Sequence, residues 1–331
     1  MRIAVDAMGG DFAPREIVLG AVRAARELPS LTKVFLVGDS AAIEKELESV
    51  GPRPGKIEIY PASEVIAMDE PPALAVRRKK DSSIGRAVDL VKKEAADAVV
   101  SAGNTGAAVV AATLKLRTLE GIERPAIAAV MPTRGRPFAL LDAGANIDCT
   151  ARLLAQFAVM GKVYSSTILG QAKPVVGLLS IGGEETKGNE TTKEAFKILT
   201  DSSLEFRGNV EPRDLFAGET DVVVSDGFVG NIVLKTTESA ASAIGHWMKG
   251  EFKRNPVRLL GAALLSGALR SMKRRLDPES YGGAPLLGVK GVCIITHGAS
   301  SSRAVFHAIR VAGDSVHNHL NTQIVEELAK L

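Results

Sequence analysis

The sequence predicts an α/β fold of three layers, with helices on both faces of a mostly parallel sheet. Three observations predict it. Apolar runs such as Val222-Val223-Val224 and Val292-Cys293-Ile294-Ile295 are continuous rather than alternating, as strands covered on both faces are. These runs alternate with helical patterns, which calls for parallel strands joined by right-handed crossovers. Six of them stop abruptly in loops rich in Gly, Asn, Ser or Asp.

Strands are predicted at 2–5, 33–37, 56–60, 98–101, 126–131, 139–141, 174–179, 221–224 and 291–296. The first helix, 14–28, opens on Pro14 and carries Ile17, Val18, Ala21, Val22 and Ala25 on one face. Similar patterns predict helices at 104–119, 148–169, 190–200 and 300–320. Two stretches break the alternation. One is 63–80, where Pro71-Pro72 precedes Arg77-Arg78-Lys79-Lys80, and the other is a protruding helical segment around 246–281. No repeat or linker divides the chain, so residues 1–331 read as one catalytic unit, and a division into two lobes is not marked.

A chain of 331 residues can bury a large core. Its 41 basic and 38 acidic side chains leave a net charge of +3, and no basic stretch is interleaved with aromatics. That excludes a nucleic-acid binder tracking phosphates along a groove. The two cysteines, Cys149 and Cys293, form no metal or disulfide pattern, as expected of a protein of the reducing cytosol. There is no signal-peptide plan and no apolar run of the roughly 18 residues that span a bilayer. A cytosolic protein, at most attached to a membrane surface, is expected.

In a parallel α/β sheet, ligands bind outside the carboxyl ends of the strands. The six loops lie at such ends, and their small residues let backbone amides approach an anion at helix starts. The first loop holds Gly9 and Gly10, which lack the G-x-G-x-x-G spacing of a dinucleotide site. Asn104 and Thr105 follow in the second, and Asp142 and Asn146 in the third. The fourth, GGEETKGNE, sets Lys187 between glycines, with Gly183 before it and Asn189 after it. Lys187 there can act as a point charge for phosphate, and Asn189 serves either as ligand or as helix cap. The fifth places Asp226, Gly227, Gly230 and Asn231 in a strand-to-helix turn, where Asn can donate to an oxygen and Asp can orient a partner or cap the helix. The sixth puts His297 at the end of a buried strand, followed by Gly298 and Ser300; a His so placed can donate a proton or hold an anion. Cys149 has no nearby His, Cys293 sits inside a strand, and no G-x-S-x-G elbow occurs.

Asn255-Pro256 opens a helix with a good cap and a good first residue. Val257, Leu260, Leu264, Leu265, Ala268, Leu269 and Met272 line one side. Lys249, Lys253, Arg254, Arg258, Arg270, Lys273, Arg274 and Arg275 crowd the flanks. Such a helix either lies in a lipid headgroup layer or is buried in a dimer interface.

VDAMGGDFAP, SAGNTGA, LLDAGAN, GGEETKGNE, DVVVSDGFVGNIVLK and THGASS, in this order along essentially the whole chain, resemble the acyl-ACP:phosphate acyltransferases of the PlsX family. SDGFVGNI is also similar to the related phosphotransacetylases, which leaves an acyl-coenzyme A enzyme as the alternative. The resemblance implies a phosphotransacetylase-type fold, a homodimer and no cofactor. It implies transfer of a fatty acyl group from acyl carrier protein to inorganic phosphate, feeding phospholipid synthesis. A contact of Val257, Leu260, Leu264 and Leu265 with the inner face of the cell membrane follows from the same resemblance, since acyl phosphate must reach a membrane acyltransferase. Phosphate is itself the nucleophile, so neither a serine triad nor a catalytic metal is needed. On residue chemistry, Lys187 and the Gly-rich loops would hold phosphate, and Asn231 with backbone amides would face the oxyanion. His297 would protonate the departing sulfur, and Asp226 would orient the site.

Overall fold

The computed structural model describes residues 1–276 and 278–331. The side chains of Lys273, Arg274 and Arg275, read above as part of a basic flank, lie outside the described residues. The strands are β1 (Arg2–Asp6), β2 (Lys33–Gly38), β3 (Ile57–Pro61), β4 (Ala98–Ser101), β5 (Ala126–Ile127), β6 (Ala129–Met131), β7 (Phe138–Leu141), β8 (Val176–Leu179), β9 (Phe206–Val210), β10 (Val222–Val224), β11 (Ala284–Leu287) and β12 (Val292–Ile295). The helices are α1 (Arg15–Glu27), α2 (Ser40–Ser49), α3 (Pro72–Arg78), α4 (Ser83–Lys92), α5 (Thr105–Leu116), α6 (Ala151–Thr167), α7 (Glu190–Asp201), α8 (Gly227–Phe252), α9 (Pro256–Leu264), α10 (Ser266–Leu276), α11 (Ser302–His317) and α12 (Leu320–Leu328).

The strands divide between two sheets, where the sequence predicted one. The first has the order β3-β2-β1-β4-β12-β11-β5 and the second β6-β7-β10-β8-β9. The predicted strand 126–131 is the reason. It breaks at Ala128, whose amide donates to the Pro285 carbonyl at 3.0 Å, so its first half pairs with β11 and its second half with β7. Both of those pairings are antiparallel, as is β11 with β12, and the other ladders are parallel.

Period-two alternation gives the first sheet its three layers. Ile3, Val5, Val34, Leu36 and Val100 pack on α1, α2 and α11, while Ala4, Phe35, Val37 and Val99 pack on α4 and α5. In the second sheet, Leu141, Leu178 and Val224 face α6 and α7, and Leu140, Leu179 and Val223 face Leu215 and the start of α8. The chain's last helix, α12, returns to that sheet's core through Leu320 and Ile324, and Lys162 of α6 pairs with its Glu327 at 2.7 Å. The predicted helix 300–320 corresponds to α11, and α12, which was not predicted, follows after Asn318-His319, where His319 adopts φ +51°.

The break at 246–281 is larger than the sequence suggested. It begins at Gly227, in a helix of 26 residues and ~39 Å whose only buried positions are Gly227 and Gly230. α9 starts as read, with the Asn255 side chain accepting the Arg258 amide at 2.9 Å.

Candidate active site

Four of the six loops meet in a cleft of about 610 Å³, the larger of two cavities at the strand tips. Thr105 at the start of α5, Ala143 after β7, Asn231 in the first turns of α8, and Thr296, His297 and Ser300 after β12 all line it. The two sheets thus supply opposite walls. Ile127, Ala129 and Val130, on either side of the sheet switch, lie between them.

His297 is exposed, and its Nδ1 accepts the Ala299 amide at 3.2 Å. In the neutral ring the proton then sits on Nε2, free to be donated. Asn231 is exposed on the opposite wall. Gly144 passes beside it, where an added Cβ would lie at van der Waals distance, 3.6 Å, from the Asn231 Cβ. Ser300 is buried, its amide donating to the His297 carbonyl at 3.0 Å, and Thr105 is exposed.

Other predicted residues hold the loops rather than face the cleft. Asp142 is fully buried, and its carboxylate accepts the amides of Ile127, Gly144, Ala145 and Asn146 as well as the Asn146 side chain. Burial raises its pKa, against the pull of those hydrogen bonds. Asn146 spends its side-chain amide on the Pro125 carbonyl and Asp142. Asn104 caps α5 through the Ala107 amide and donates to the carbonyls of Ala67, Met68 and Glu70, tying down the 63–80 excursion. A direct contact with phosphate is left without a free polar atom at Asp142, and Asn104 acts as a strut.

The glycines permit close approach. A Cβ on Gly9 would stand 2.7 Å from the Gly103 amide, and one on Gly10, at φ +108°, 2.9 Å from the Gly298 carbonyl. Gly298 in turn accepts the Asp11 amide at 2.7 Å, which locks the first, second and sixth loops together. Gly227 donates to the Asn146 carbonyl at 2.7 Å, and a Cβ on Gly230 would fall 1.9 Å from the Asp142 carbonyl oxygen, which locks the third and fifth.

The fourth loop stands apart. It shares a second cavity, of 480 Å³, with the other side of α8. Asn189 and Asp226 line this cavity, each as a helix cap: Asn189 accepts the Thr192 amide at 2.9 Å and Asp226 the Val229 amide at 2.8 Å. Asp226 therefore lies across α8 from His297 and does not orient it. Lys187 and Gly183 are exposed and line neither cavity.

Several cleft residues were not singled out from sequence. Leu234, Lys235 and Glu238 continue the Asn231 face of α8, and the i, i+3, i+4, i+7 spacing could have revealed them. Glu279 and Tyr281 come from the far end of the helical excursion and carry no local signal. Burial pushes the thiols of Cys149 and Cys293 up to about 12, which leaves neither as a thiolate nucleophile. Among the described residues no cluster of His, Cys, Asp and Glu could hold a metal ion.

Comparison with known proteins identifies the family. The chain is 50% identical to a phosphate acyltransferase of Nostoc sp., covering 98% of this chain and 95% of that one. It is 51% identical to a phosphate acyltransferase of Heliobacterium modesticaldum over 99% and 98% of the two chains. Among solved structures it is similar to a phosphotransacetylase from Streptococcus pyogenes, with a TM-score of 0.62 at 19% identity over 96% and 94% of the chains. A branched-chain phosphotransacylase from Enterococcus faecalis also reaches a TM-score of 0.62, at 17% identity over 96% and 99%. At those identities the likeness is one of fold. The profile of a family described as "Fatty acid synthesis protein" matches residues 1–323. The chain belongs to this family, the phosphate acyltransferases.

Proposed function

We propose that the chain transfers a fatty acyl group from acyl carrier protein to inorganic phosphate in the cleft between its two sheets. The observation that carries the reading is the meeting of Asn231 and His297, from different sheets, across one cavity. An oxygen of hydrogen phosphate attacks the thioester carbonyl carbon and the C–S bond breaks; His297 gives the Nε2 proton to the departing sulfur and takes up the proton released by the phosphate, so the ring ends neutral. Asn231 donates to the oxyanion of the tetrahedral intermediate, and Thr105 and Ser300 hydroxyls hold phosphate oxygens. Residues 1–331 work as one catalytic unit, because neither sheet closes the cleft alone. Lys187, exposed on the fourth loop and outside the cleft, attracts the anion through its charge rather than gripping it.

The test is release of acyl phosphate from acyl carrier protein thioester and phosphate, with acyl-coenzyme A as the comparison donor. Asn231→Ala and His297→Ala are each expected to lower turnover ~100-fold. Wild-type rates in both variants would remove these roles, and no acyl phosphate from the native chain would remove the reading.

The protein works as a homodimer that attaches peripherally to the cytoplasmic face of the cell membrane, where the acyl phosphate meets a membrane acyltransferase. No described helix is long and apolar enough to cross a membrane. α9 and the residue after it instead leave Val257 79%, Leu264 80%, Leu260 64% and Leu265 55% exposed, next to Arg254 and Arg258. Contiguous apolar exposure of this kind marks an interaction surface. Ile244 and Trp247, exposed on α8, extend it toward the body and suit the partner subunit.

A further inference from the structure

We propose that the second cavity, on the far side of α8 from the cleft, shelters the aliphatic chain of the donor. The proposal rests on the acyl-transfer reading above and adds to it the place of the chain. The cavity's walls are Leu154, Leu179, Leu215, Phe216, Ile232 and Val233, and among the described residues Asp226 is the one charged side chain on its lining. The cleft, by contrast, is lined by Lys235, Glu238 and Glu279 as well as His297. A hydrocarbon laid against those groups would strip them of water, which is unfavourable, whereas each methylene moved from water into an apolar cavity is favourable by about fourfold in affinity.

The rim is apolar and open, with Ile181 82% and Ile232 49% exposed, so a chain can enter from the side while its thioester stays in the cleft.

Val233 and Leu234 are consecutive on α8 but line opposite cavities, which gives a paired test. Hexadecanoyl and hexanoyl thioesters are compared as donors by kcat/KM. Val233→Phe is expected to cost the long donor roughly tenfold or more relative to the short one, the effect of displacing about two methylenes. Leu234→Phe is expected to lower both donors alike. Thr236→Phe, at an exposed position on the same cavity, repeats the selectivity with little risk to folding. The proposal is overturned if Val233→Phe and Thr236→Phe leave the ratio unchanged, or if the selective loss belongs to Leu234→Phe. An unchanged ratio in Ile232→Trp together with loss of the dimer by light scattering would assign the rim to a second copy, and would also overturn it. A native chain releasing no acyl phosphate fails the acyl-transfer reading itself, whereas an active native chain with unaltered selectivity fails only the chain's assignment.

Discussion

Asp6 shows how a residue can serve a site without entering it. It ends β1, is fully buried, and takes the Ser101 hydroxyl at 2.7 Å, so it joins the first two strand tips. Burial raises its pKa, only partly offset by hydrogen bonds from Ser83 and Ser101. A folded-state pKa above the unfolded one means the folded chain holds this proton more tightly. The stability from Asp6 is therefore full below the ordinary carboxylate pKa and is lost as pH rises through the raised value. Asp6→Asn removes the titration, so its melting temperature relative to wild type is expected to climb with pH across that window. A difference that stays flat with pH would contradict the account. At this scale the sequence was only half legible. The loops could be read as a site, but Asp142, Asn104, Asn189 and Asp226 are spent on backbone amides, and nothing local separates an Asn that caps from an Asn that binds.

At the scale of elements, α8 carries the most consequence. Its start is pinned to the third loop, where a Cβ on Gly230 would overlap the Asp142 carbonyl oxygen. Gly230→Ala is expected to cost roughly 1–3 kcal/mol in urea unfolding and to displace Asn231 from the cleft, lowering activity as well. Its far end leads to α9, and there Leu260→Glu with Leu264→Glu is expected to abolish co-sedimentation with anionic liposomes while acyl phosphate formation in solution persists. Unchanged sedimentation would leave the exposed face to the partner subunit. Buried parallel strands were easy to read because they are simple apolar runs. β9, sequence FRGNV, escaped because it is an edge strand paired on one side only, and β11 because Pro285 sits within it. The length of α8 was hidden for the opposite reason: a helix with almost nothing buried has no stripe to find.

Over the whole molecule, the second sheet is inserted into the first. β1 to β5 and the late β11 and β12 build one sheet, while β6 to β10 build the other, and α12 closes back onto the inserted part. The Lys162 ammonium, aided by Lys330, holds the Glu327 carboxyl of that closing helix below its ordinary pKa. The contribution is present above the unfolded-state pKa and is lost as pH falls through the lowered one. Protection factors of the 320–328 amides, exchange rates taken relative to the intrinsic rate at each pH, are expected to fall on acidification through that range, and Glu327→Gln to erase the dependence. The insertion was not marked in the sequence because no linker separates the parts; the chain passes between sheets inside one six-residue apolar run.

That run, 126–131, has an implication for how such chains can change. Side chains along a strand alternate between faces, so adding or deleting a single residue turns every later one over. Here Ile127 belongs to one ladder and Ala129 and Val130 to the next, with only the buried Ala128 between them. A one-residue insertion or deletion would misalign two hydrophobic cores at a stroke and tilt the floor on which the reactants rest. Changes of length are therefore expected to be tolerated in the outer turns and not in this short passage.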